Sequence, residues 1–171
     1  MNDYHDKQKV LLFFYSGDFI GEATNPETIR AGAAASLCAL SSETDKFESA
    51  NTRILAVSRD SPDRHAKLAD LLALQIPMLS DEKGAVGEQY GLLPENRWAG
   101  SSDSYDIYNC AFIINVKGMV RSRQKFDVVL SPDNPMPDFV RVRFESSERL
   151  RLGEPTVLHT TKLLHVAEEI T

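Results

Sequence analysis

Two side chains in this chain can do thiol chemistry, Cys38 and Cys110. A cysteine attacks or binds metal as its thiolate, and it needs a neighbour that favours the charged form. The sequence supplies no such neighbour by spacing. There is no CxxC pair and no Cys/His set at zinc spacing, and His5, His65, His159 and His165 are scattered, as surface or packing residues are. GxGxxG and Walker loops are also missing, so neither a metal nor a cofactor is expected. Two cysteines in 171 residues do not make a disulfide scaffold, and a reduced, cytoplasmic setting is the expectation. A second kind of chemistry lies in the basic residues. Arg141, Arg143, Arg149 and Arg151 alternate with Val140, Val142, Phe144, Leu150 and Leu152 around Glu145-Ser146-Ser147-Glu148. That pattern predicts a β-hairpin with one arginine face, either an anion or docking site or a solvated edge that resists aggregation. Trp98, with Tyr105 and Tyr108 in the loop 93–108, is placed to line a pocket mouth or to pack.

Three continuous apolar runs must position these residues: Val10 to Tyr15, Arg53 to Ser58 and Asn109 to Val116. Runs of this kind suit strands covered on both faces. Lys117-Gly118 then reads as a turn, with Met119 to Phe126 as an antiparallel partner carrying Arg121, Arg123 and Lys125. Asn25-Pro26-Glu27 starts a helix that extends to about Ala50, with a break near Gly32. Ser61-Pro62-Asp63 starts a second, with Leu68, Leu71 and Leu72 on one face; Lys83 to Tyr90 is a third, stopped by Gly91. The last covers 157–170, with Leu163, Leu164, Ala167 and Ile170 as its stripe. Alternating strands and helices predict right-handed crossovers, a mainly parallel sheet and an α/β sandwich of three layers. The Pro-rich stretch from Ser131 to Pro137 is a stiff loop, and one domain over 1–171 is expected.

Composition narrows the partners. A net charge of −6 argues against a generic nucleic-acid binder. No run of about 18 apolar residues is present, so no membrane span is expected, and the polar N-terminus has no signal-peptide layout.

Four segments in order resemble the peroxiredoxin family, the AhpC/TSA thiol peroxidases. Val10 to Phe19, VLLFFYSGDF, is similar to the family's first core strand and the turn beyond it. Arg53 to Ser61, RILAVSRDS, resembles the next strand, and Ile76 to Leu92, IPMLSDEKGAVGEQYGL, resembles its "fPLLSD…YGv" segment. Asn109 to Gly118, NCAFIINVKG, is similar to "R-x-x-F-I-I-D-x-x-G", and the loop 93–108 has the texture of the bacterioferritin-comigratory, or Q-type, branch. The resemblance covers about 8–126 plus the helix 157–170, leaving 127–156 as an insertion. It implies a thioredoxin-like fold, here with an extended first helix region and an added C-terminal hairpin, and a possible homodimer. It also implies peroxide reduction by a cysteine in a P-x-x-x-T-x-x-C motif at the first long helix.

The motif itself is not found. Three ways of counting put Ala23, Asn25 or Ala33 where the reacting cysteine belongs, and Ile20, Glu22 or Arg30 where the threonine belongs. Ser16 stands for the motif proline and Asn109 for the site arginine. Cys38 matches the second cysteine of Q-type members, which resolves a sulfenate five residues earlier, at Ala33 here. The candidate catalytic residues are therefore Cys38, Asn109 and Tyr15, with Asp18, Glu22, Asn25, Arg30 and Trp98 as pocket candidates. Cys110, next to Asn109 on a strand, is expected to face the other way. Three functions follow: a diverged member acting on a small-molecule substrate, a residual one-thiol oxidoreductase using Cys38, or a non-catalytic binding or assembly module.

Overall fold

A computed structural model describes residues 3–15, 31–92, 109–126, 128–131 and 157–170, with backbone alone at 31, 32, 128–130 and 157. Strand β1 (Lys9–Phe14) is buried at all six positions. It lies at the centre of a five-stranded sheet of order β3-β2-β1-β4-β5. β2 (Thr52–Ser58) pairs parallel to β1, with Lys9 opposite Thr52 and Phe14 opposite Val57. β3 (Met78–Ser80) extends the parallel half. β4 (Cys110–Ile114) runs antiparallel to β1, and β5 (Val120–Lys125) antiparallel to β4. The sheet is thus mixed rather than mainly parallel. The apolar run Cys110 to Ile114 has the composition of a covered central strand, and burial alone does not set its direction. The turn between β4 and β5 needs Gly118, at φ 76°, and Asn115 Oδ1 accepts the N–H groups of Lys117 and Met119 within it.

Helices α1 (Ala31–Ser42) and α2 (Thr44–Ser49) lead from β1 to β2. The predicted start at Asn25-Pro26-Glu27 lies outside the described residues. Gly32 is helical, and the break falls at Glu43 instead. Glu43 is buried; its carboxylate takes Ser131 Oγ–H on one oxygen and Lys46 Nζ at 2.8 Å on the other. Helix α3 (Pro62–Leu72) begins as expected, with Ser61 extended and Pro62 in the first turn. Leu68 and Leu72 are buried, but Leu71 is 43% exposed, because the buried stripe is completed by His65 rather than by a third leucine. Helix α4 (Ala85–Gln89) ends before Gly91, at φ 66°.

Residues 157–159 are not the start of the last helix. They form β7 (Val157–His159), parallel to β6 (Val128–Leu130), in a separate two-stranded sheet, with β6 lying against α1. Helix α5 (Thr160–Glu169) follows, burying Leu163 and Ala167. Leu164 and Ile170 are only partly buried, at the margin of the same core. The hairpin over 139–152 and the Pro-rich loop beyond Ser131 lie outside the described residues.

Two cores follow from the period-2 alternation of the strands. Leu11, Phe13, Tyr15, Ile54, Ala56, Ala111 and Ile113 pack with residues of α1, α2, α3 and α5. Val10, Leu12, Phe14, Leu55, Val57, Cys110, Phe112 and Ile114 pack on the other face with Tyr4, Tyr90 and Leu92.

Lys9 is the single charge in β1, and it is almost wholly buried. Its Nζ donates to the carbonyls of Ala167, at 2.5 Å, and Ile170, at 3.2 Å. A cation there meets the negative end of α5 and satisfies carbonyls the helix leaves unpaired. We expect Lys9→Met, which keeps the apolar stem, to cost about 1–2 kcal/mol in urea denaturation and to speed amide exchange first in α5. An unchanged midpoint would show that this tie contributes nothing.

Candidate functional site

Helix α1 reads Ala-Gly-Ala-Ala-Ala-Ser-Leu-Cys-Ala-Leu-Ser-Ser and carries no charge. Such a helix is stable only when covered on most sides. Ala33 to Ala39 are all buried, between the sheet on one side and β6 on another. Cys38 sits in this setting at 4% exposure. Burial pushes its thiol up to about 11. Beside it opens a cleft of about 390 Å³ lined by Ser41, Ser42, Leu72, Ala73, Leu74 and Gln75. Among the described residues no cation lines that cleft. Its hydroxyls serve the backbone: Ser41 Oγ accepts the Gln75 N–H and Ser42 Oγ donates to the Ala39 carbonyl, each at 2.8 Å. The surroundings therefore favour the neutral thiol.

Ala33, five residues before Cys38, is also buried and offers only a methyl group. Of the other positions weighed for the reacting cysteine, Ala23 and Asn25 lie outside the described residues. So do Asp18, Glu22, Arg30 and Trp98, and so do Arg141, Arg143, Arg149 and Arg151.

Tyr15 is fully buried. Its ring stacks on Phe13 with centroids 5.6 Å apart, and its N–H donates to the Val57 carbonyl. Asn109 is half-buried, one residue before β4, and its carbonyl accepts from Phe126 N–H. Strand alternation gives it the side of Ala111 and Ile113, the face covered by α1. Cys110 lies on the opposite face with Phe112 and Ile114, as expected. Burial pushes its thiol up; the Arg123 guanidinium and Lys125 pull the other way without overcoming it. Arg123 lies 5.6 Å from the Phe112 ring centroid and donates to the Gly91 carbonyl. Tyr15, Asn109 and Cys38 thus share one side of the sheet, yet the cleft at Cys38 includes neither of the other two.

The structure also assembles a polar group that sequence reasoning left scattered. Ser58 and Ser80 end β2 and β3 and are register partners. His65, in the first turns of α3, is 3% exposed and lies between them, with Nε2 2.8 Å from Ser58 Oγ and Nδ1 3.2 Å from Ser80 Oγ. Asp60 follows, bonded through its N–H to Ser58 Oγ and through Oδ1 to Arg64. In the sequence Ser58 closes an apolar run, but β3 carries too little pattern to mark Ser80; only the parallel pairing makes the two serines neighbours. No group of three or more His, Cys, Asp or Glu is placed to hold a metal among the described residues.

A family model described as the AhpC/TSA family matches residues 1–123, and the chain belongs to that family. Its similarities fall in the peroxiredoxins of the Bcp, or Q, type. It is 28% identical over 132 residues to peroxiredoxin Bcp of Escherichia coli K12, covering 72% of this chain and 77% of that one. It is likewise 28% identical over 128 residues to a putative peroxiredoxin bcp of Haemophilus influenzae, covering 74% of this chain and 73% of that one. Among solved structures, Xanthomonas campestris bacterioferritin comigratory protein, studied for alkyl peroxide reduction, superposes with a TM-score of 0.59 at 17% identity, covering 87% and 83% of the two chains. Peroxidoxin BcpB of Mycobacterium tuberculosis gives 0.57 at 19%, covering 87% and 84%. The fold is the thioredoxin-like sandwich of these proteins.

A thiol at about 11 instead of 9.0 has a thiolate fraction at neutral pH about 100-fold below an ordinary one. We expect iodoacetamide to label Cys38 in a Cys110→Ser protein about that much more slowly in the native than in the urea-unfolded state, the native rate rising tenfold per pH unit up to pH 10. Rapid native labelling at pH 7 would contradict the buried, neutral thiol.

Proposed function

We propose that this chain is a diverged peroxiredoxin-family protein without the standard peroxidatic site, turned to binding or converting a small molecule. One observation supports this above the rest. The chain has two cysteines, and both are buried with their thiols pushed up by burial. A thiol peroxidase needs a thiolate that can reach the O–O bond. Among the described residues no cation lines the cleft at Cys38, and at Cys110 burial outweighs the charges of Arg123 and Lys125. The buried Ala33, five residues before Cys38, agrees with this reading, because it puts a methyl group where the resemblance calls for a partner thiol.

The second reading, a residual one-thiol oxidoreductase working through Cys38, has one point in its favour: Cys38 is among the residues that line a cleft open to solvent. A peroxide assay separates the two. With dithiothreitol as reductant, native protein, Cys38→Ser and Cys110→Ser should all consume hydrogen peroxide at the rate of the reductant blank. Turnover in native protein that disappears in Cys38→Ser would replace the first reading with the second.

A further inference from the structure

The end of the parallel half-sheet holds an imidazole whose hydrogen bonds must rearrange when it gains a proton. His65 is enclosed by Ser58 from β2, Ser80 from β3 and its own helix α3. A neutral ring has one N–H, so one of the two serine hydroxyls must donate to the bare nitrogen. A protonated ring has two, so both hydroxyls must accept. Ser58 Oγ already accepts the Asp60 N–H at 3.1 Å, and its own proton then has Asp60 Oδ2, 3.3 Å away, as its acceptor. The other Asp60 oxygen is held by Arg64 at 3.1 Å.

We propose that His65, Ser58 and Asp60 form a proton-responsive clasp: the neutral ring holds its bare nitrogen, Nε2, toward the Ser58 hydroxyl, and one proton taken there from solvent turns that hydroxyl onto Asp60 and resets the corner between β2 and α3. The described charged groups around it are few. Asp60 and Arg64 are paired with each other. Asp81, next to Ser80, gives its carboxylate to the N–H groups of Val86 and Gly87. Arg59 reaches away, to the Glu82 carbonyl. Among the described groups the Asp60 charge favours the imidazolium, and burial outweighs it, so the ring titrates below its ordinary value. The sign for stability follows. Below about 6.5 the unfolded chain binds a proton that the native ring still refuses, so stability falls with pH from there until the native ring titrates as well. The clasp also touches the end of β1. The Val57 carbonyl, one residue before Ser58, accepts the Tyr15 N–H. A change at His65 therefore reaches the strand end at which the candidate pocket residues begin.

Histidine ring signals followed by NMR from pH 8 downward test this in native protein. His5, His159 and His165 are exposed, so their single substitutions assign His65 by elimination even if His65→Gln fails to fold. His65 should titrate below the ordinary histidine value of about 6.5, and the amides of Asp60 and Tyr15 should shift with the same midpoint. Asp60→Asn should lower that midpoint further, and Ser58→Ala should uncouple the Asp60 amide from it. The urea midpoint should fall between pH 7 and pH 5.5 and flatten in His65→Gln where that variant folds. A ring that stays neutral down to acid unfolding, or an Asp60 amide that ignores its titration, overturns the proposal.

Discussion

Strand β1 has no edge and no face open to water, and most of the structure answers that constraint. All six of its residues are buried, so its backbone must pair on both sides, as it does with β2 and β4. Each fully buried leucine or phenylalanine in it contributes about 1.5–3 kcal/mol relative to exposure, and only when a second layer covers it. The chain meets this by crossing back over one face through α1 and α2 before β2, and by closing the other with Tyr4, Tyr90 and Leu92. Phe14, Phe112 and Tyr90 lock that second cover edge to face, with centroids 4.9–5.9 Å apart. Even the one charge in the strand conforms: Lys9 sends its ammonium to the end of α5, so a buried cation fastens the last helix to the first strand.

The same constraint explains the state of the thiols. A helix that must fill the space between a sheet and a second ribbon can be small and apolar all round, and α1 is built mainly from alanine. Small side chains let β6 lie against it, and Glu43 binds Ser131 at the end of that ribbon. Cys38 inherits a medium in which a charge is poorly solvated. Cys110 inherits another, on the opposite face of a strand buried at every position. In both places the packing that stabilises the fold opposes the thiolate.

What could be read from the sequence was the part governed by local rules. Apolar runs located β1, β2 and β4, Ser61-Pro62 located the start of α3, and the turn glycines 91 and 118 fell where φ is positive. The errors came where tertiary pairing decides. The direction of β4 depends on which neighbour it meets, not on its composition. β3, three residues long and mostly exposed, has too little pattern to show. Val157 to His159 reads as the first turn of an amphipathic helix and becomes strand because β6 offers a parallel edge. Leu71 lost its place in the stripe to His65, whose burial depends on two serines from different strands. The candidate site shows the same division. Facing directions came from strand alternation, whereas the cleft that Cys38 shares with the end of α3 rather than with Tyr15 or Asn109 needed the tertiary packing.

In open α/β sheets, ligands bind at the carboxyl ends of parallel strands, because backbone groups and helix termini converge there. At this edge β2 and β3 have little left to offer. Ser58 and Ser80 are spent on His65, Asp60 on Arg64, and Asp81 on the first turn of α4. The remaining part of the edge is the end of β1 and the start of β4, where Tyr15 and Asn109 stand on the side covered by α1. The described residues of α1 that share a core with Tyr15 are mostly alanines, and Cys38 borders a cleft lined by the end of α3. Function at this corner is set by the groups that line it and not by the fold, and Tyr15 and Asn109 are the described side chains that the sheet brings to it.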